Sequence, residues 1–167
     1  MLAKQSGSWL VLLGLLAGIV FFQTRGLVSG RPPAIHGPTL DGSVFDLNHL
    51  SGRPSIIYFW ASWCGVCEAI QDNVQAVATD HPIITVALKS GNAAEVSDYM
   101  RKESFDVPVL LDETGDLAQR YGVRGVPTLF FLDGQGNIRL TASGYTSEAG
   151  LRLRLWLAGK LSQVAAP

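Results

Sequence analysis

Two cysteines occur in 167 residues, and they stand three apart as Cys64-Gly65-Val66-Cys67. A thiol pair at that spacing can close into a disulfide and reopen, taking up or releasing two electrons. The reacting species is the thiolate, and an ordinary thiol is mostly protonated at neutral pH. Something beside Cys64 must therefore favour the charged form, and the flanking sequence supplies it. Ser55-Ile56-Ile57-Tyr58-Phe59 is short, apolar and β-branched, the pattern of a strand covered on both faces. After Cys64, Ile70, Val74 and Val77 recur at helical spacing with Glu68, Gln71, Asp72 and Gln75 between them, which predicts one helix from Cys64 to Thr79. Cys64 thus falls where a strand ends and a helix begins. The first turn of a helix presents unpaired N–H groups and the positive end of its dipole, and both favour a thiolate. Cys67 lies one turn further in, on the same face.

Other uses of such a pair fit less well. A structural zinc needs four ligands, and His36, His49 and His81 are scattered without ligand spacing. A purely structural disulfide gains little by closing so short a loop. Two thiolates can hold Cu(I), since soft ligands select it, so a non-catalytic copper-binding module stays open. So does a tether whose cysteines are incidental.

The elements that must position the pair read in order. Asp41-Gly42 lies between short strand-like pieces and signals a hairpin. Ile83 to Leu88 is a second buried strand, and Pro82 ends the helix before it. Ala93 to Ser104 reads as a helix with Val96, Tyr99 and Met100 inward. Glu113 to Tyr121 is a short helix with Gly122 as its C-cap. Thr128 to Leu132 and Asn137 to Ala142 form a strand pair around the turn Asp133-Gly134-Gln135-Gly136. Leu151 to Leu157 alternates like a strand, yet Ser147-Glu148 is a cap signal and the run to Leu161 suits a helix. Its expected apolar surface is Leu151, Leu155, Trp156 and Ala158, with Leu153 and Leu157 widening it.

With these pieces placed, Trp60-Ala61-Ser62-Trp63-Cys64-Gly65-Val66-Cys67 resembles the active-site segment of thioredoxin-like proteins. Gly122-Val123-Arg124-Gly125-Val126-Pro127-Thr128 is similar to the family's proline segment. The hairpin before the central strand and the Pro108-to-Asp112 insertion resemble the TlpA/ResA/CcmG group. The resemblance covers most of residues 38–160. It implies an α/β thioredoxin-like fold, a central mixed sheet flanked by helices, with an N-terminal hairpin. It implies that Cys64 and Cys67 are catalytic, that Pro127 is cis, and that Trp63, Val126 and Pro127 meet an extended substrate. No added cofactor is implied beyond the Cys64–Cys67 disulfide itself. Within the group, the single anchor, short domain and Cys-Gly-Val-Cys resemble ScsD-like disulfide oxidoreductases of suppressor-of-copper-sensitivity systems. That likeness implies a reductase linked to copper tolerance and recharged by a DsbD-type membrane electron carrier. Cytochrome-c maturation reductases are the alternative within the group. Two departures stand out. Val66 occupies a position where thioredoxin has proline. Tyr58 stands where thioredoxin has a buried aspartate, and a phenol is a poor base at neutral pH. Glu68, Glu95 and Asp112 are the carboxylates that could handle the proton of Cys67 instead.

The N-terminus reads differently. Residues 9–22 are apolar or glycine throughout, and the twenty residues between Lys4 and Arg25 carry no charge. As a helix they would span about 30 Å, enough for a hydrocarbon core. This predicts a single transmembrane anchor over residues 1–25, with a cleaved signal peptide as the rival. A linker over 26–37, a catalytic domain over 38–162 facing the periplasm from the inner membrane, and a tail over 163–167 complete the expected layout. From Pro32 onward there are ten Lys/Arg and fourteen Asp/Glu, a balance of −4 with no basic run. Substrate proteins carrying thiols or disulfides are the expected partners, and nucleic acid is not.

Overall fold

The computed structural model describes residue 18 and residues 26–164. A hairpin of β1 (His36–Pro38) and β2 (Val44–Asp46) leads through a 3-10 turn (Leu47–Leu50) into β3 (Ser55–Trp60). Then follow α1 (Gly65–Glu68), α2 (Gln71–Ala78), β4 (Ile83–Leu88), α3 (Ala93–Lys102), β5 (Val109–Asp112) and α4 (Asp116–Arg120). β6 (Thr128–Leu132), β7 (Ile138–Ser143) and α5 (Glu148–Val164) complete the chain. The main sheet has five strands in the order β5-β4-β3-β6-β7. β3 is central, parallel to β4 and antiparallel to β6.

All six residues of β3 are buried, as its unbroken apolar run requires. Side chains of a strand alternate between faces. Ile56, Tyr58 and Trp60 point into a core closed by Val74, Val77, Val96, Leu151, Leu155 and Ala158. Ile57 and Phe59 point the other way, into a core closed by Leu117, Tyr121, Phe45 and Leu50. The second core is built on a ring cluster, with Phe59, Tyr121 and Phe130 at centroid distances of 5.3 to 5.8 Å.

The hairpin lies on the β5 edge. Thr39 bridges Leu110, and the Leu40 N–H donates to the Val109 carbonyl at 2.9 Å. This satisfies backbone groups that an edge strand would otherwise leave open. The stretch read as a linker is also docked. Val28 donates to the Tyr121 carbonyl at 3.2 Å, Gly30 and Ile138 exchange backbone bonds of 3.0 and 2.7 Å, and Ile35 is buried. The Tyr121 hydroxyl donates to the Pro33 carbonyl at 2.7 Å.

Three expectations need correction. The helix expected from Cys64 to Thr79 is two helices. At Ile70 the N–H turns to the Cys67 carbonyl three residues back, at 3.2 Å, and the residue adopts φ −110°. The Tyr58 hydroxyl donates to that same Cys67 carbonyl, at 3.5 Å. An unbroken helix would offer this acceptor to Gln71, and a side chain entering the ladder is a known cause of kinks. Secondly, Trp156 is not on the inner face of α5, and Leu153 and Leu157 do not widen that face but are exposed. Leu151, Leu155 and Ala158 are fully buried, whereas Trp156 is 58 % exposed. Thirdly, the expected transmembrane span has no counterpart among the described residues. Among the described residues no helix is long and apolar enough to cross a membrane. The span expected over 1–25 lies, apart from residue 18, outside the described residues, so the single-pass anchor and the inner-membrane location read from it are withdrawn.

Candidate active site

β3 ends at Trp60, and Ala61 to Cys64 carry the chain over the sheet end into α1. The turn is tied sideways to the end of β4. Ser62 N–H donates to the Ser90 hydroxyl at 3.0 Å, and Ser90 in turn donates to the Leu88 carbonyl at 3.1 Å. Trp63, 65 % exposed, is held by its indole N–H on the Lys89 carbonyl at 3.0 Å. Trp60, by contrast, is a core residue, stacked on Tyr99 and edge-on to Phe105.

Cys64 is the N-cap of α1, and its sulfur accepts the Cys67 backbone N–H at 3.2 Å. That N–H belongs to the first turn of the helix and is shared with the Cys64 carbonyl, at 2.9 Å. It is aimed at the sulfur itself, and so favours negative charge there. The two cysteines form a disulfide, Cα to Cα 5.2 Å. They are unequal: Cys64 retains 9 % of its surface and Cys67 none. An incoming sulfur therefore meets Cys64.

Opposite the pair, the Val126–Pro127 peptide is cis. The Val126 carbonyl lies 3.6 Å from the Cys64 sulfur. The structure thus brings Cys64, Cys67, Val126 and Pro127 together, with Trp63 on the exposed side. A residue that the sequence did not single out stands on the far side. Gly144 N–H donates to the Pro127 carbonyl at 3.0 Å, which sets Tyr145 beside the proline, 62 % exposed. Nothing in its local sequence announces this, because the position depends on where β7 ends.

The three carboxylates considered for proton transfer are separated by their bonds. Asp112 accepts the backbone N–H groups of Leu117 and Ala118 at 3.0 and 2.8 Å, and so secures the first turn of α4. Glu95 accepts the Asn92 N–H at 2.8 Å in a reciprocal cap of α3. Glu68 remains on the surface, close enough to Tyr99 and Lys102 to act on both electrostatically. Tyr58 does not replace an acid. Burial pushes its phenol far above the usual value, with Tyr99 adding to the shift, so it stays a neutral donor. Among the described residues no group of three or more His, Cys, Asp or Glu gathers as a metal site would require.

The family model described as Redoxin matches residues 28–152. A thioredoxin-like protein of Haemophilus influenzae is 32 % identical over 145 residues, 86 % of each chain. The thiol:disulfide interchange protein DsbE of Pseudomonas fluorescens biotype C is 30 % identical over 149 residues, covering 78 % of this chain and 82 % of its own. Among solved structures, StoA from Bacillus subtilis superposes with a TM-score of 0.64 at 26 % identity, over 75 % of this chain and 97 % of that one. These relatives support the TlpA/ResA/CcmG group and give no support to ScsD-like specificity.

Proposed function

This chain belongs to the Redoxin family, and from that premise we propose that Cys64 and Cys67 exchange disulfides with substrate proteins, Cys64 attacking and Cys67 resolving. The chain is a thiol–disulfide oxidoreductase of the thioredoxin-like fold. The observation that carries the assignment of roles is the asymmetry of the pair. Cys64 is the sulfur with surface, and it has an N–H directed at it, while Cys67 is sealed behind it.

Starting from the dithiol, the Cys64 thiolate attacks one sulfur of a substrate disulfide. A new S–S bond forms as the old one breaks, and the departing substrate sulfur takes a proton. Cys67 then loses its proton and attacks the Cys64 sulfur. The mixed disulfide breaks, the second substrate thiol leaves, and the Cys64–Cys67 disulfide remains. Two electrons have passed to the substrate. Run backwards, the same steps oxidise a dithiol, and the direction follows the difference in reduction potential. We read the forward direction, as a reductase, from the sequence resemblance, together with a dithiol donor that recharges the pair. A DsbD-type carrier and a link to copper tolerance rest on that resemblance alone, and no step above requires copper.

Of the carboxylates considered for the proton of Cys67, Asp112 and Glu95 are engaged in helix caps. Water or the departing thiolate is the acceptor that fits this site.

Trapping tests the roles. The Cys67→Ser protein, mixed with a disulfide-bonded model protein such as insulin, should accumulate a covalent adduct on Cys64, read by mass spectrometry. The Cys64→Ser protein should form none and should not turn over. Wild-type turnover by Cys64→Ser would sink the assignment.

A further inference from the structure

We infer that the outer face of α5 pairs with the same face of a second copy of this chain, antiparallel and centred on Leu157. The interface is separate from the exchange chemistry and leaves it untouched.

α5 carries two apolar stripes. Leu151, Leu155 and Ala158 are the one that closes the core. Leu153, Trp156, Leu157 and Leu161 are the other, and all four are exposed. At about 100° per residue, these four fall within an arc of about 140°, on the side of the helix turned away from the core. On average about half of each side chain is open. At about 200 Å² for a side chain of this size, the stripe exposes roughly 400 Å², the scale at which surface patches are often functional.

Area, spacing, charge and position together point to a second copy. A standard interface takes about 800 Å² from each partner, and about 65 % of a homodimer interface is apolar. The stripe supplies most of that apolar share, and Ala149, Arg154 and Lys160 lie around it as a rim. A twofold interface must also be complementary to itself. Leu153 and Leu161 stand four residues to either side of Leu157. An antiparallel pair with its axis at Leu157 therefore sets Leu153 of each copy against Leu161 of the other. From Leu155 to Gly159 no residue is ionisable, so the centre of the pair buries no charge. The two Lys160 residues would stand about 9 Å apart along the helices, beyond the screening length of about 8 Å at physiological salt. A helix lying on lipid is instead rich in basic residues along its polar face. Here Arg152 is committed to Asp80 and Glu148, and Arg154 to the Gly150 carbonyl. That leaves only Lys160 among the described basic residues of α5. The chain's own leading segment is also poorly placed to cover the stripe. It enters the described fold at Gly26, against Gly122. The neighbouring Tyr121 closes the core on the other side of the sheet from α5.

The pairing keeps both redox sites open. α5 starts shortly after the bond between Gly144 and Pro127, at the active-site end of the sheet. It runs to the far end, where Gly159 lies against Pro54 at the start of β3. Antiparallel pairing thus puts the two disulfides at opposite ends of the dimer.

Position-specific cross-linking of the full-length chain tests the register, because association through any other surface would not reproduce it. Single cysteines are placed in a Cys64→Ser, Cys67→Ser background and treated with a short bismaleimide. Leu157→Cys should cross-link to a dimer, and so should Leu153→Cys mixed with Leu161→Cys. Leu153→Cys alone should give at least tenfold less dimer, because its two sulfurs would lie about 12 Å apart along the helices. In sedimentation, the wild type should dimerise with a Kd in the micromolar range. Leu157→Glu should raise that Kd at least tenfold and leave insulin turnover per chain unchanged. Cross-linking that is indifferent to position overturns the inference, as does a Leu157→Glu chain with the wild-type Kd. A wild type that is monomeric at about 100 μM, well above that range, overturns it too. Vesicle binding by that monomer, lost in Leu157→Glu, would then assign the face to lipid. A cross-link within one chain from Leu157→Cys to Leu13→Cys would assign it to the leading segment and equally overturn the inference.

Discussion

Cys64 and Cys67 carry the same chemical group in different surroundings, and the difference lies in one hydrogen bond and a few square ångströms of surface. The backbone N–H at 3.2 Å and the residual exposure both belong to Cys64. Behind them, Tyr58 contributes no titration near neutral pH. Burial raises its phenol, and burial raises that of Tyr121 too, with Arg120 opposing weakly. This has a consequence at high pH. In the unfolded chain a tyrosine ionises near pH 10, whereas in the fold these two remain protonated. The folded state then binds more protons than the unfolded one. Stability is whole below about pH 10 and is lost as pH rises from there towards the raised native values. Each such tyrosine contributes about 1.4 kcal/mol per pH unit to that loss. Urea unfolding between pH 10 and 11.5 should give a slope shallower by about that amount in Tyr58→Phe than in wild type.

Among the elements, α5 shows how burial is shared within one helix. Its sequence is apolar on more than one side, which is why Trp156 reads as a core residue. The sheet and α2 together cover one stripe, Leu151, Leu155 and Ala158, at spacings of four and three. Leu153 and Trp156 are left exposed. Leu155→Ala should therefore cost about 2–5 kcal/mol, as buried leucine truncations do. Trp156→Ala should cost under about 1 kcal/mol, although tryptophan is the larger residue. Thermal unfolding of the two variants side by side checks this, and equal losses would contradict the packing. The bend between α1 and α2 is the same kind of effect. The period of Ile70, Val74 and Val77 is helical throughout, and it carries no sign that a tyrosine hydroxyl from β3 would reach the Cys67 carbonyl.

At the scale of the molecule, the segment from Gly26 to Pro38 is a strap rather than a spacer. It crosses Tyr121, bridges β7 at Ile138, buries Ile35 and enters the hairpin on β5. Gly122 is its tightest point. The residue has φ +70°, and a Cβ there would collide with the Gly26 carbonyl. Gly122→Ala should thus lose about 3 kcal/mol, from the left-handed backbone and the collision together. It should also open residues 26–28 to limited proteolysis. A variant as stable and as resistant as wild type would mean that the strap does not bear on the domain.

Resemblance to thioredoxin-like proteins supplied the proline segment opposite the cysteines, while the sequence by itself determined the reactive pair, its place between strand and helix, and most of the order of strands and helices. These are local patterns of period, turn residue and spacing, and they survive because each element's own chemistry dictates them. Most of the site was legible for that reason. The tertiary structure decided the rest: which cysteine keeps surface, which stripe of α5 the sheet covers, where the leading segment docks, and that Tyr145 arrives beside Pro127. Each of these depends on contacts between residues distant in the chain, such as Gly144 with Pro127 and Asn73 with Thr146, and no local pattern encodes a distance across the fold.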